Sequence, residues 1–469
     1  MIKKALMYSF SSKYITLLMQ IGTTLILARI LTPEHIGLFT IASIITGFAQ
    51  MFRDFGISEY VIKEKQIDSN NLSSAFTASI LIAWPIALCL GLSSPFIADY
   101  YSDPSVAPLI TILSLNVALS PFGSITMSTL RRQMNFKPIS YANIASTAVN
   151  SGVSLVLAYY DFGPLSLAIA SVLGTVTTVL VMQAFRDKRY KITLRLKGIK
   201  SVFLFGSGVG SSNIISYFGE NFMDMLIAKA YTVSDLGIVS RAKSTISLFS
   251  TAVTEATIPL ITPYYANAHH NSNALGQAYL KSTQAILYLA FPFCALMLVA
   301  PDTVIMVLYG EQWLPAAEFI SILAINFAFH SCSIFYDRCL ISLDMPKEYF
   351  IFGLFFTLVN ICLVLLLIDF GIIYILCGIA VSSAVKLVWS LFSLKALIKL
   401  NVSDYFNMAT HPIIATIFLL AGLLPYLIYK SGDTLLDFLL LIPGGIAWLI
   451  YILLFDPNIK NILAGVRKK

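Results

Sequence analysis

The residues of this chain that could do chemistry are ionisable and amide side chains set inside long apolar segments. In one segment Asn213, Glu220 and Asp224 follow at separations of seven and four residues, which at about 100° per helical residue gathers them into a narrow arc. The next carries Arg241 and Lys243, with Glu255 on nearly the same face as Arg241. A third strings Asn326, His330, Ser333 and Asp337 along one face with Arg338 beside it, and a fourth holds Lys386 near its middle. A lone charge at the centre of a spanning helix costs about 2.5 to 3.5 kcal/mol. These groups must therefore pair with one another or face water. One reading is a set of buried ion pairs among Glu220, Asp224, Arg241, Lys243 and Lys386 that fixes helix packing. The other is a wet cavity in which Arg241, Lys243 and Lys386 hold an anionic substrate, while Glu220, Asp224, Glu255, Asp337 and His330 serve as ion-pair partners or bind a coupling ion, H⁺ or Na⁺.

Amides and hydroxyls extend the pattern into the first half. Ser12, Thr16, Gln20 and Thr23 line one face of the first helix; Ser43, Thr46, Gln50, Arg53 and Asp54 line one face of the second. Gln20, Gln50, Asn213 and Asn326 are thus the polar lumen candidates. Arg53 joins the lumen cations or, lying within about a turn of its helix end, reaches the headgroups. The stripe Asn143, Thr147, Asn150 and Ser154 reads as close helix packing through small and hydroxyl residues.

The elements that must position these groups are spanning helices. Of 469 residues, 57% are apolar and 12% charged, about half the charge of an ordinary soluble domain. Apolar runs of about 20 residues succeed one another with short polar breaks, which makes the chain an all-α polytopic membrane protein of about fourteen spans. No P-loop, HExxH or GxSxG motif is present, and the glycines of FGSGVG (205–210) lie inside a span with no strand before them. The chain is therefore read as a non-enzyme without metal or other cofactor. The six cysteines have no CxxC spacing and read as small buried hydrophobes. The net charge of +7 falls in alternate loops, a topology signal and not a nucleic-acid surface. With both termini cytoplasmic, the inner segments hold about 23 of the 31 basic residues and the outer loops only Arg29, Lys229 and Lys430.

A basic stretch, RDKRYKITLRLKGIK (186–200), with seven basic residues against one acidic, divides the chain. ARILTPEHIGL (28–38) before it recurs 200 positions later as AKAYTVSDLGI (228–238). ILSLN ending at Asn116 recurs as ILAIN ending at Asn326, and Asp161-Phe162-Gly163 as Asp369-Phe370-Gly371. Three echoes in one order mark an internal duplication. The expected organisation is a six-helix lobe over 1–185, the cytoplasmic linker over 186–200, a second six-helix lobe over 201–400, and two further spans with a basic tail over 401–469. An even number of spans per copy relates the lobes by a pseudo-two-fold along the membrane normal, with a cleft between them.

ARILTPEHIGLFTIASI (28–44), FRDFGISEYVIKEKQI (52–67), LSLN with Arg131 to Pro138, the DFG turn and LYGEQWLPA (308–316) together resemble the Wzx-type polysaccharide exporters. These are the lipid-linked oligosaccharide flippases of the O-antigen and colanic acid type, in the superfamily that also holds the MATE drug antiporters and the lipid II flippases. The resemblance implies a flippase of the bacterial plasma (inner) membrane that moves an undecaprenyl-pyrophosphate-linked sugar repeat to the periplasmic leaflet by alternating access. It further implies surface polysaccharide assembly (O-antigen, capsule or exopolysaccharide) beside polymerase and chain-length regulator proteins, with lumen cations receiving the pyrophosphate. Two rival readings are a MATE-like cation-coupled drug antiporter, which calls for an acid-dominated lumen, and a membrane polysaccharide polymerase or ligase, which calls for a sizeable outer loop.

Overall fold

A computed structural model describes residues 2–54, 56–64, 68–187, 189–190, 193–268 and 272–455, and among these the regular structure is entirely helical. Among the described residues, nine helices are long and apolar enough to cross a membrane. A tenth span forms if α5 (Val106–Leu119) and α6 (Pro121–Arg132), bent by 46° at their junction, count together. The bend has the cause expected from Pro121, which stands at the start of α6 where its missing N–H costs nothing. Among the described residues, four more helices are of comparable length but more polar: α1 (Ile2–Ile30), α7 (Phe136–Tyr159), α9 (Ile199–Ala230) and α10 (Val233–Ala268). The chain is a multi-span helical membrane protein.

It divides into two compact units, Met1–Ser240 and Arg241–Lys469, so the division falls inside α10, beyond the basic linker. The reason is visible in the packing of the first unit. Helix α2 (Pro33–Asp54) packs on α5 and on α9, and α9 also packs on α4 (Ser69–Tyr101) and on α3 (Ile57–Lys63). Tyr217 of α9 lies over Gly47, its hydroxyl donating to Ile44 O at 3.4 Å, and Phe48 meets the Tyr217 and Phe218 rings at 6.5 and 6.1 Å. The linker is held as well: Tyr190 and Ile199 at its two ends pack on the cluster of Ile57, Tyr60, Val61, Leu72, Ala75, Ala78, Ile125 and Val202. Within it, Arg189 chelates Asp187 at 2.8 Å, and that guanidinium holds the Asp187 carboxyl below the usual carboxylate range. Helix α7 fills the rest of this unit against α1 and α8 (Leu165–Ala184).

In the second unit α13 (Ala316–Cys332) packs on α11 (Ser272–Val299) and α16 (Ile372–Ile398), and α15 (Pro346–Leu367) packs on α16. Phe249 stacks on Phe293 at 3.9 Å with Phe327 edge-on at 6.1 Å, locking α10, α11 and α13. Helix α17 (Val402–Gly422) crosses α20 (Ile442–Phe455) at two glycines, where a methyl group on Gly422 would stand 2.7 Å from Gly444 Cα and from Pro443 O. Overpacking of this kind costs about 1–3 kcal/mol. Gly422→Leu is accordingly expected to lower the unfolding temperature of the detergent-purified protein, read by the loss of its monodisperse chromatographic peak on heating.

The duplicated motifs occupy equivalent places. Asn116 Nδ2 donates to Ser171 Oγ at 2.9 Å in the first copy; in the second, Ser383 Oγ donates to Asn326 Oδ1 at 2.6 Å. Each asparagine thus ties the fourth span of its copy to the sixth. Thr32 Oγ1 accepts from His35 N at 3.3 Å and Thr232 Oγ1 from Asp235 N at 3.1 Å, the same helix-start hydroxyl cap 200 positions apart.

Candidate functional site

Among the described residues, two places bring sequence-singled residues together, one in each unit. In the first, the starts of α2 and α10 cross at Gly37 and Gly237. A side chain on Gly37 would overlap the Val233 carbonyl oxygen, and one on Gly237 would overlap the Pro33 carbonyl oxygen and come 3.1 Å from Gly37 N. One helical turn further, Thr40 Oγ1 donates to Ser240 Oγ at 3.2 Å. Each of these contacts joins a residue to its own equivalent or to the equivalent of a near neighbour: 33 with 237, 37 with 233, 40 with 240. That exchange is the signature of a local two-fold axis passing between the two glycines. The sequence locates both copies but says nothing of their mutual contact, which only a fold can supply.

In the second unit the polar stripe of α13 continues across a break at Ser333 into α14 (Tyr336–Ser342) and meets α16. Lys386 of α16 lies with its ammonium 5.1 Å from the centre of the Phe352 ring and within electrostatic reach of both His330 and Asp337. Its side chain is half-buried, as is that of Asp337. His330 is exposed. Asn326 stands one turn before His330 and is already tied to Ser383. Cation, imidazole, carboxylate and amide are thus gathered on two spans, Ala316–Ser342, which α13 and the seven-residue α14 make up together, and α16. Phe352 and Ser383, which complete the group, were not singled out from the sequence: a phenylalanine in an apolar run and a serine in a span carry no local signal.

The other candidates lie elsewhere. Arg241 is 5% exposed, with its guanidinium 4.5 Å from the Trp313 ring and 5.0 Å from the Tyr309 ring. Thr245, one turn on, shares a 3.0 Å hydrogen bond with the Tyr309 hydroxyl. The arginine therefore docks the YGEQW turn onto α10, and Gly310, at a φ of +98°, gives that turn a backbone shape that side chains rarely permit. Lys243 is half-buried two residues further along. In the first unit Arg53 is 9% exposed and donates through Nε at 2.9 Å to the adjacent Asp54 carboxylate. Asp224 is buried, Glu220 and Gln20 are exposed, and Gln50 is half-buried. The side chains of Asn213 and Glu255 lie outside the described residues.

The comparisons with known proteins agree on the family. The model of the polysaccharide biosynthesis protein family matches residues 26–318, more than half of the chain. The chain belongs to that family. Among curated relatives of this family member, the succinoglycan biosynthesis transport protein ExoT of Rhizobium meliloti is 25% identical over 68% of this chain and 65% of its own length. The teichuronic acid biosynthesis protein TuaB of Bacillus subtilis is 24% identical over 60% and 58%, and the lipopolysaccharide biosynthesis protein WzxC of Escherichia coli 23% over 61% and 59%. The chain thus spans about three fifths of the length of these relatives. Among solved structures, the lipid II flippase MurJ in an inward closed conformation superposes with a TM-score of 0.80 at 14% identity, covering 96% of this chain and 98% of MurJ. An inward-facing MATE multidrug transporter superposes at 0.61 and 16% identity, over 82% and 96%. The family member therefore shares the fold of these two solved transporters.

Proposed function

We propose that this protein is a flippase of the bacterial plasma membrane that carries a polyprenyl-pyrophosphate-linked oligosaccharide repeat from the cytoplasmic to the periplasmic leaflet. The observation that carries the reading is Lys386, an ammonium in the middle of a spanning helix beside His330, Asp337 and Asn326. Such a group is kept in a membrane at a cost of about 2.5 to 3.5 kcal/mol only where it has work or a partner. A phosphate is what a lysine holds as a point charge. Amide and hydroxyl groups such as Asn326 and Ser383 suit sugar. The relatives named for succinoglycan, teichuronic acid and lipopolysaccharide biosynthesis support a glycan cargo for surface polysaccharide assembly.

In this reading the four stripe-bearing helices α1, α7, α9 and α10 also cross the bilayer, for fourteen spans with both ends cytoplasmic. Their polar faces hydrate the head group while the polyprenyl tail stays in lipid, since sugar and pyrophosphate cannot enter hydrocarbon unshielded. The crossing at Gly37 and Gly237, between the turns that carry Arg29 and Lys229, is the outer closure. It parts to release cargo. Asp337, with Glu220 and Asp224, supplies carboxylates for a coupling H⁺ or Na⁺, and the protein works beside a polymerase and a chain-length regulator.

A strain lacking the protein tests the reading. Loss of a flippase leaves single lipid-linked repeats on the cytoplasmic face, inaccessible to a periplasmic glycan-cleaving enzyme. Single repeats already exported in that strain would instead indicate a polymerase and end the proposal.

A further inference from the structure

The basic linker is bound along α4 by a ladder of hydroxyl groups. Ser73 Oγ donates to Ser69 O of its own helix at 2.6 Å and accepts from Thr193 N at 3.0 Å. One turn on, Thr77 Oγ1 donates to Ser73 O at 2.7 Å and accepts from Arg195 N at 2.7 Å. Ser74 Oγ donates to Lys197 O at 2.6 Å. The spacing explains the fit: two residues of extended chain advance about 6.6 Å and four residues of helix about 6 Å, so alternate linker N–H groups meet successive helical turns. Ser73 and Thr77 use their protons within the helix and their lone pairs for the linker, while Ser74 gives its proton to the linker carbonyl. The Arg195 guanidinium turns back to Asn70 Oδ1, and Gly198, at a φ of +95°, ends the run against Ser74.

This binding fixes what the linker shows to its surroundings. Leu194 is 72% and Leu196 75% exposed. In extended chain, residues two apart point the same way, so the two leucines form one outward pair whose backbone is pinned and cannot turn them inward. Lys197 is exposed beside them, and the stretch that bears them carries seven basic residues against one acidic. Ser73 and Thr77, which set the depth of the ladder, lie in the first turns of an apolar spanning helix. An exposed apolar pair flanked by cations at the mouth of a span matches a surface with hydrocarbon below and negative charge above.

We propose that residues 193–197 form a membrane-interface clasp, in which Leu194 and Leu196 enter the acyl region of the inner leaflet while Lys197 and its basic neighbours engage anionic phospholipid headgroups. The clasp rests on the cytoplasmic placement of the linker proposed above and is independent of the cargo. It makes the linker a lipid-anchored part of the first unit and not a free tether.

Site-directed spin labels decide it. In the full-length protein with the exposed Cys89, Cys362 and Cys377 changed to Ser, labels are placed by Leu194→Cys, Leu196→Cys and, as a water-facing reference, Arg189→Cys, whose side chain is 84% exposed. The protein is reconstituted in phosphatidylcholine vesicles with and without phosphatidylglycerol, and collisions with oxygen are compared with collisions with a water-soluble nickel chelate. The oxygen-to-nickel ratio at 194 and 196 is expected to exceed the reference several-fold with phosphatidylglycerol present, and to fall without it. Adding Ser73→Ala and Thr77→Val, which removes both acceptors of the ladder, is expected to return the ratio toward the reference. Labels at 194 and 196 that read like the reference in anionic vesicles would place the leucines in water or against a protein and overturn the clasp. A ratio indifferent to phosphatidylglycerol would overturn its anionic specificity. Neither result bears on export, so a failed clasp and a failed flippase reading remain distinguishable.

Discussion

Lys386→Gln is expected to reduce export of the lipid-linked repeat by one to two orders of magnitude while the protein inserts and accumulates normally, and Arg241→Gln to lower the amount of folded protein with export per folded molecule kept. A hydrogen bond to a charged group contributes about 1.5–3 kcal/mol, and each 1.4 kcal/mol is about tenfold in binding. Lys386 is half-buried over Phe352 and near His330 and Asp337, so its loss leaves the helices packed and removes a charge from this polar group. Arg241 is buried between Tyr309 and Trp313. A desolvated cation–π contact is worth about 2 kcal/mol or more, and glutamine would leave an amide buried against two rings. The expected signature is therefore less folded Arg241→Gln protein on size-exclusion chromatography and a lower melting temperature, with export falling in proportion to the protein that survives. Lys386→Arg should recover part of the export by keeping the charge. If Lys386→Gln exports normally at normal abundance, the substrate assignment of this lysine is wrong; if Arg241→Gln is fully stable, the docking role of that arginine is wrong.

The contrast between the two cations also shows what was legible in the sequence. Helical class, polytopic character and the duplicated motifs followed from composition, periodicity and echo, because each is a local or repeated property of the chain. Polar stripes were legible for the same reason: the polar groups on α1, α7, α9 and α10 are dense enough to take these long helices below the apolar standard for a span, whereas α2 and α13 carry theirs and still meet it. Which charges meet was not legible. Arg241 and Lys243 are neighbours in sequence, yet the first is enclosed by an aromatic turn about 70 positions away and the second is half-buried. Lys386 finds His330 and Asp337 only because α13, α14 and α16 are brought together. Helical spacing gives the azimuth of a side chain on its own helix, but the neighbouring helix that fills that azimuth is a property of tertiary packing.

A side chain at either axial glycine is expected to abolish export, and the double variant to be no worse than either single one. Gly37→Ala puts a methyl group onto the Val233 carbonyl oxygen, and Gly237→Ala puts one onto the Pro33 carbonyl oxygen. Both obstacles are backbone atoms, so no rotamer change relieves them and α2 and α10 must move apart at this point. Because each substitution alone prevents the same closure, their effects should be strongly non-additive, as for any two changes that break one shared contact. Thr40 and Ser240 give an independent readout of that closure, since their hydroxyl oxygens are 3.2 Å apart. Thr40→Cys with Ser240→Cys is expected to form a disulfide on mild oxidation, to stop export while oxidised and to recover on reduction; with Gly37→Ala added, cross-linking should be lost. Export that continues through the oxidised, fully linked protein would mean that the crossing never opens during the cycle. In that case the two-fold contact would be a fixed support of the fold and the release path would have to lie elsewhere.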